Sequence, residues 1–134
     1  MLFNPKESID FNGNTGPFVQ YTHARIQSVL RKAEKVGSWQ LANGNIDSKE
    51  RAVIKLIYDF PAAMRDAAKE YNPGVIANYI YDLSKEYNQF YHDITILKEE
   101  NADLRNFRLA LSKKVAEVIR SGMKLLGIEV PERM

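Results

Sequence analysis

The 134-residue chain contains no cysteine, only two histidines, one tryptophan and five prolines, and no long apolar run. The lack of cysteine excludes disulfides, thiolate metal sites and cysteine nucleophiles together, and is compatible with a reducing compartment. No stretch approaches the roughly 20 apolar residues that a membrane-crossing helix needs, so no membrane partner is expected. The opening residues, Met1 to Glu7, have neither a basic start nor a continuous apolar stretch and do not read as a signal peptide. His23 and His92 lack a second histidine or a carboxylate at zinc-helix spacing, and both read as surface or helix-end residues. Gly13-Asn14-Thr15-Gly16 has neither the lysine nor the preceding strand of a phosphate-cradling loop. The serines have no partner base in view. Taken alone, the chain is not expected to be an enzyme or to hold a metal or cofactor.

What is present suits one folded domain. Hydrophobic residues make up 45% of the chain, too many for a disordered segment. The net charge is only +2, unevenly spread: residues 1–47 carry +1, residues 48–100 carry −2 and residues 101–134 carry +3. This balance permits an anionic partner without requiring one.

Helical periodicity dominates. Residues 1–16 hold Pro5, Gly13, Gly16 and no steady period, and read as an extended lead-in. Pro17 opens a first helix whose stripe is Phe18, Thr22, Ile26, Val29, Ala33 and Val36, with Gly37 as a left-handed cap. Ser38–Asn45 reads as a loop. Asp47 or Ser48 caps a second helix, with Glu50 near the free amides and Val53, Ile54, Leu56, Ile57 and Phe60 on its apolar face. Pro61 breaks it and opens a short helix through Tyr71, and Asn72-Pro73 starts a fourth that runs to about His92. The fifth, from Asn101 to about Leu126, carries a core stripe of Leu104, Phe107, Leu111, Val115, Val118, Gly122 and Leu125. No strand pattern competes. The fold class is an all-α bundle of about five helices.

Three surface ridges follow from about 100° per residue. The first helix places Tyr21, Arg25, Ser28 and Lys32 on one side, an aromatic and cations suited to an unstacked base and its phosphate. On spacing alone, a solvated flank with a tyrosine sealing the core edge has the stronger claim. On the fourth helix Tyr79, Tyr87 and Phe90 join the core, and Tyr91 stands at the stripe's boundary. Tyr81 points away in line with Lys85, Asn88 and His92. The fifth helix turns Lys113, Arg120 and Lys124 outward, where a plain solvated face serves as well as long-range attraction to phosphates.

The segment Gly13-Asn14-Thr15-Gly16-Pro17-Phe18-Val19-Gln20-Tyr21-Thr22-His23-Ala24-Arg25 resembles the signature that joins the catalytic core of arginyl-tRNA synthetase to its C-terminal helices. Ala77-Asn78-Tyr79-Ile80-Tyr81-Asp82-Leu83, Phe90-Tyr91, Leu104-Arg105, Arg108-Leu109-Ala110-Leu111 and the ending through Pro131-Glu132-Arg133-Met134 follow in that family's order. The resemblance covers residues 3–134. It implies the anticodon-binding domain of that class I synthetase, named for an Asp-Ala-Leu-Arg motif that reads Ala102-Asp103-Leu104-Arg105 here.

The resemblance further implies that Tyr21, Arg25, Tyr91 and the terminal Met134 meet the anticodon loop of arginine tRNA. Thr95 stands where some relatives place another aromatic. Lys32, Tyr81 and Lys85 join as RNA-binding candidates from the ridges. The ATP-site motifs of the His-Ile-Gly-His and Lys-Met-Ser-Lys-Ser kinds are absent, as is the family's N-terminal domain. Residues 1–16 are then expected to be a lead-in from a catalytic domain, with 17–134 the helical domain. ATP and Mg are expected only in the full cytoplasmic enzyme, which ligates arginine to its tRNA, while the piece itself is inactive and takes no cofactor. Its partners are the arginine anticodon stem-loop and that catalytic domain. The alternative is a helical bundle that binds protein without RNA specificity.

Overall fold

A computed structural model describes residues 16–33, 37, 47–70 and 73–126. Among them are five helices: α1 (Gly16–Ala33), α2 (Ser48–Tyr58), α3 (Phe60–Glu70), α4 (Pro73–Asp93) and α5 (Ala102–Leu125). The expected extents of α4 and α5 hold. Residues 1–15, Val36, Ser38–Asn45, Tyr71, Asn72 and the segment 127–134 with Met134 lie outside the described residues.

The helix ends follow their local chemistry. Asp47 caps α2 with a full capping box: its side chain accepts from the Lys49 N–H at 2.8 Å, and Glu50 Oε1 accepts from the Asp47 N–H at 3.3 Å. Asn101 caps α5, its Oδ1 accepting the Leu104 N–H at 3.1 Å, and Asp103 puts a carboxylate in the first turn where the helix dipole favours it. Between α2 and α3 the break falls at Asp59, so Phe60 opens α3 instead of closing α2. Pro61 explains the position, because its ring clashes with the carbonyl four residues back, at Ile57. Gly37 is not left-handed, contrary to expectation. Its missing Cβ instead leaves room for Asn106, whose Nδ2 lies 2.8 Å from where that atom would stand.

The core runs between α1, α4 and α5, with α2 and α3 packed on α4. Val19, Ile26, Ile80, Leu83, Tyr87, Phe90, Val115, Ile119 and Met123 are wholly buried. α4 and α5 are antiparallel, since Tyr87 meets Ser112 while Ile80 and Ile76 lie against Gly122. A Cβ at Gly122 would stand 2.6 Å from Ile80 Cγ2, so a larger residue there would push the two helices apart.

Three expectations about burial change. Leu125 is 62% exposed, not core. Three residues past Gly122, α5 has outrun its antiparallel partner, because Ile76 is only three residues from the start of α4. His23 is buried, not at the surface, because both α4 and α5 pack on α1 and widen its covered face beyond one stripe. Leu104, expected in the core stripe, is only half-buried, and so is the neighbouring Arg105, whose Nη1 donates to the Glu99 carbonyl at 2.9 Å. Lys113, Arg120 and Lys124 do face solvent.

Two buried phenols give the fold a pH dependence. Tyr79 donates its hydroxyl to the Leu56 carbonyl, and Tyr87 donates to Ser112 Oγ at 2.9 Å. Burial pushes both well above the ordinary tyrosine value of 10.0, with the Asp59 carboxylate adding to the effect at Tyr79. An unfolded chain therefore loses these protons first. The contribution is fully present below pH about 10 and is lost as pH rises toward the folded-state values. The unfolding free energy from urea titrations should fall between about pH 10 and 11.5, at a limiting slope of about 1.4 kcal/mol per pH unit for Tyr87. Tyr87→Phe should flatten that decline, since Ser112 keeps its own bond to the Arg108 carbonyl at 2.8 Å. An unchanged slope would mean that Tyr87 ionises in the folded state.

Candidate nucleic-acid interface

The seam between α1 and α4 carries the candidate site. Along it Phe18 meets Tyr81, Thr22 meets Asn88 and Arg25 meets Tyr91, so the two helices run in the same direction. At the far end Tyr21, Arg25, Ser28, Arg31, Lys32 and Tyr91 line an open pocket of about 440 Å³. The 3.6-residue turn explains the α1 side: positions 21, 25, 28 and 32 share one face of the helix. Tyr91 reaches the same place from the last turn of α4.

The Arg25 guanidinium organises this pocket. Its Cζ lies 4.7 Å from the Tyr91 ring centroid and 5.0 Å from that of Tyr21. Cation–π contacts at such distances contribute about 0.5–1 kcal/mol each when exposed, and more when dry. Arg25 Nη2 also approaches the Tyr21 hydroxyl at 3.5 Å, and Nη1 donates to Asn88 Oδ1. Tyr91 is backed by the buried Tyr87 at 6.4 Å and meets His92 edge-on at 5.9 Å. Tyr21 remains 49% exposed, leaving ring surface open to a planar group. Arg31 and Lys32 sit exposed in the last turn of α1, beside the rings.

The candidate residues fall into two groups. Tyr21, Arg25, Lys32 and Tyr91 come together around one pocket. Tyr81 and Lys85 form a second station on the same seam, about 15 Å back along α4 at 1.5 Å per residue. There Lys85 Nζ stands 5.4 Å over the Tyr81 ring. Tyr81 does not point away from the bundle as expected: it is half-buried, edge-on to Phe18 at 5.7 Å. Asn88, expected on the same outward line, is turned into the seam toward Thr22 and Arg25. Met134 lies outside the described residues. Spacing does not single out Arg31, although its place one turn after Ser28, beside Lys32, carries the signal.

A buried ion cluster escaped sequence reading altogether. Glu50 is fully buried, and its Oε1 accepts from Arg108 Nη2 at 3.5 Å. Arg108 Nη1 pairs with Glu99 Oε2 at 3.1 Å. Glu50 Oε2 and Arg108 Nε have no hydrogen-bond partner among the described residues. The cluster clamps the α4–α5 connection, and so the end of α4 that presents Tyr91, onto the first turns of α2 and α5.

Among the described residues no group of three His, Asp or Glu is placed to hold a metal ion. No described helix is long and apolar enough to cross a membrane.

The geometry has close relatives. The chain is 60% identical over 138 residues to an arginine–tRNA ligase of Bacteroides fragilis, and 62% identical over 138 residues to that of Parabacteroides distasonis. Each alignment covers 100% of this chain and 23% of the relative, so the chain spans about a quarter of their length. In three dimensions it is similar to Thermus thermophilus arginyl-tRNA synthetase, with a TM-score of 0.80 and 36% identity, over 98% of this chain and 23% of that one. Residues 19–134 match the family model described as the DALR anticodon binding domain. The chain belongs to the DALR anticodon binding domain family.

Proposed function

We propose that the chain is the tRNA-reading helical domain of an arginine–tRNA ligase and that the α1–α4 seam receives the anticodon loop of arginine tRNA. The observation that carries this reading is the Arg25 guanidinium held over both the Tyr21 and Tyr91 rings, in an open pocket edged by Arg31 and Lys32. Single-stranded loops are read by splaying bases onto aromatic faces and holding phosphates with cations. In this assignment Tyr21 and Tyr91 stack bases, while Arg25 and Lys32 hold phosphates or base edges. Tyr81 and Lys85 extend the track, and Met134 contributes a further contact. Reading centres on the middle cytosine that arginine anticodons share. Its exocyclic amine is a hydrogen-bond donor and needs an acceptor from the protein.

Residues 1–16 act as the lead-in from a catalytic domain, and 17–134 as the RNA-binding unit. ATP and Mg serve in that catalytic domain, where arginine is joined to tRNA. A protein-docking bundle is the weaker reading, because the pocket is rimmed by cations and not by an apolar groove.

Titration with an arginine anticodon stem-loop and its central-cytosine variant tests the assignment. Tighter binding of the cytosine loop is expected, with affinity falling as salt rises. Equal affinity for the two loops at moderate salt would sink the specificity claim.

A further inference from the structure

We propose that Asn88 is a positioning residue that holds the Arg25 guanidinium against Tyr21 and Tyr91, so that RNA meets a cation already in place; this rests on the seam's being the RNA site. Asn88 Nδ2 donates to Thr22 Oγ1 at 2.8 Å and to the Ser84 carbonyl at 2.8 Å, which uses both amide hydrogens. Thr22 Oγ1 spends its own hydrogen on the Phe18 carbonyl at 2.9 Å, so toward Asn88 it can only accept. Asn88 Oδ1 is thereby turned to Arg25 and accepts from Nη1. A flipped amide would lose all three bonds and set N–H groups against a cation. Thr22 and Ser84 are both fully buried, which anchors the amide to parts of the bundle that do not yield.

The chemistry of the holder matters as much as its rigidity. Among the described residues no carboxylate lies within ion-pair reach of Arg25. An aspartate or glutamate could orient a guanidinium equally well, but would cancel the charge that phosphate must feel. A neutral amide fixes the geometry and leaves the positive charge unspent. The tyrosine faces do the same, since they attract the cation without neutralising it. The cluster therefore combines a rigid arginine with a full unit of charge, and the side-chain ordering on RNA binding is reduced.

The experiment uses the 134-residue chain, ¹⁵N-labelled, with an arginine anticodon stem-loop as probe. In the RNA-free chain the Arg25 Nε–H resonance should be displaced by the rings, and Asn88→Ala should move it toward the position of a free arginine. Asn88→Ala should weaken loop binding about tenfold, as expected for losing a hydrogen bond to a charged group. In an Arg25→Ala background the same change should cost less than about twofold, because the residue it serves is gone. An Arg25 resonance unmoved by Asn88→Ala would overturn the proposal, as would an equal loss of affinity in both backgrounds. Thr22→Val removes one anchor of the amide and should shift the Arg25 resonance in the same direction by less. It decides the matter should Asn88→Ala not fold. A wild-type chain that binds neither loop would defeat the RNA reading, while the resonance would still decide whether Asn88 positions Arg25.

Discussion

Replacing Arg108 with alanine should destabilise the bundle by about 3–5 kcal/mol, read as a large fall in the urea midpoint at neutral pH. The reason is what remains. Glu50 is 0% exposed, and without Arg108 its Oε1 keeps only the Asp47 N–H, while Oε2 has no partner among the described residues. A carboxylate stranded in that position is far costlier than the pair's own net contribution, because desolvation of a buried ion costs several kcal/mol. Typical domains have only about 5–15 kcal/mol to lose. Pairing Arg108→Met with Glu50→Leu should return much of the loss, since no unpaired charge is left behind. A loss below about 1 kcal/mol for Arg108→Ala would mean that Glu50 is solvated.

The second large effect concerns RNA. Tyr21→Ala and Tyr91→Ala should each weaken binding of the arginine anticodon loop by about 1–3 kcal/mol, the usual worth of one stacked base. The two are not equivalent as probes. Tyr91 packs on Tyr87, so its removal also loosens the end of α4. Tyr21 is about half exposed, and its loss should leave the melting temperature nearly unchanged. Binding measured for Tyr21→Ala is therefore the cleaner reading of stacking. If neither variant changes affinity, the tyrosines merely seal the edge of the core.

The helices were legible because their period is carried by many residues at once. The stripe on α4 correctly gathers Tyr79, Leu83, Tyr87 and Phe90, and proline and capping residues locate most ends to within a turn. A stripe cannot say how many neighbours a helix has. That is why His23, covered on α1 by a second partner, read as surface, and why Leu125, beyond the end of α4, read as core. The α1 half of the pocket was visible as a ridge for the same periodic reason. The hold on Arg25 was not, since Arg25 and Asn88 are 63 positions apart and their bond depends on how α1 and α4 are set side by side. Glu50 shows the limit most plainly. Its part in the capping box was readable three residues from Asp47, whereas its burial against Arg108, 58 positions away, was not.

The parallel seam has one more consequence. The pocket takes one wall from α1 and the other from α4, so no continuous stretch of chain can reproduce it. The pocket and the folded state are one thermodynamic entity: whatever occupies the pocket binds the folded chain and not the unfolded one. At a ligand concentration of 100 Kd, such exclusive binding raises the unfolding free energy by about 2.7 kcal/mol. Occupancy of this small corner would thus guard α1, α4 and α5 against opening, although none of the contacts that hold the core together would change.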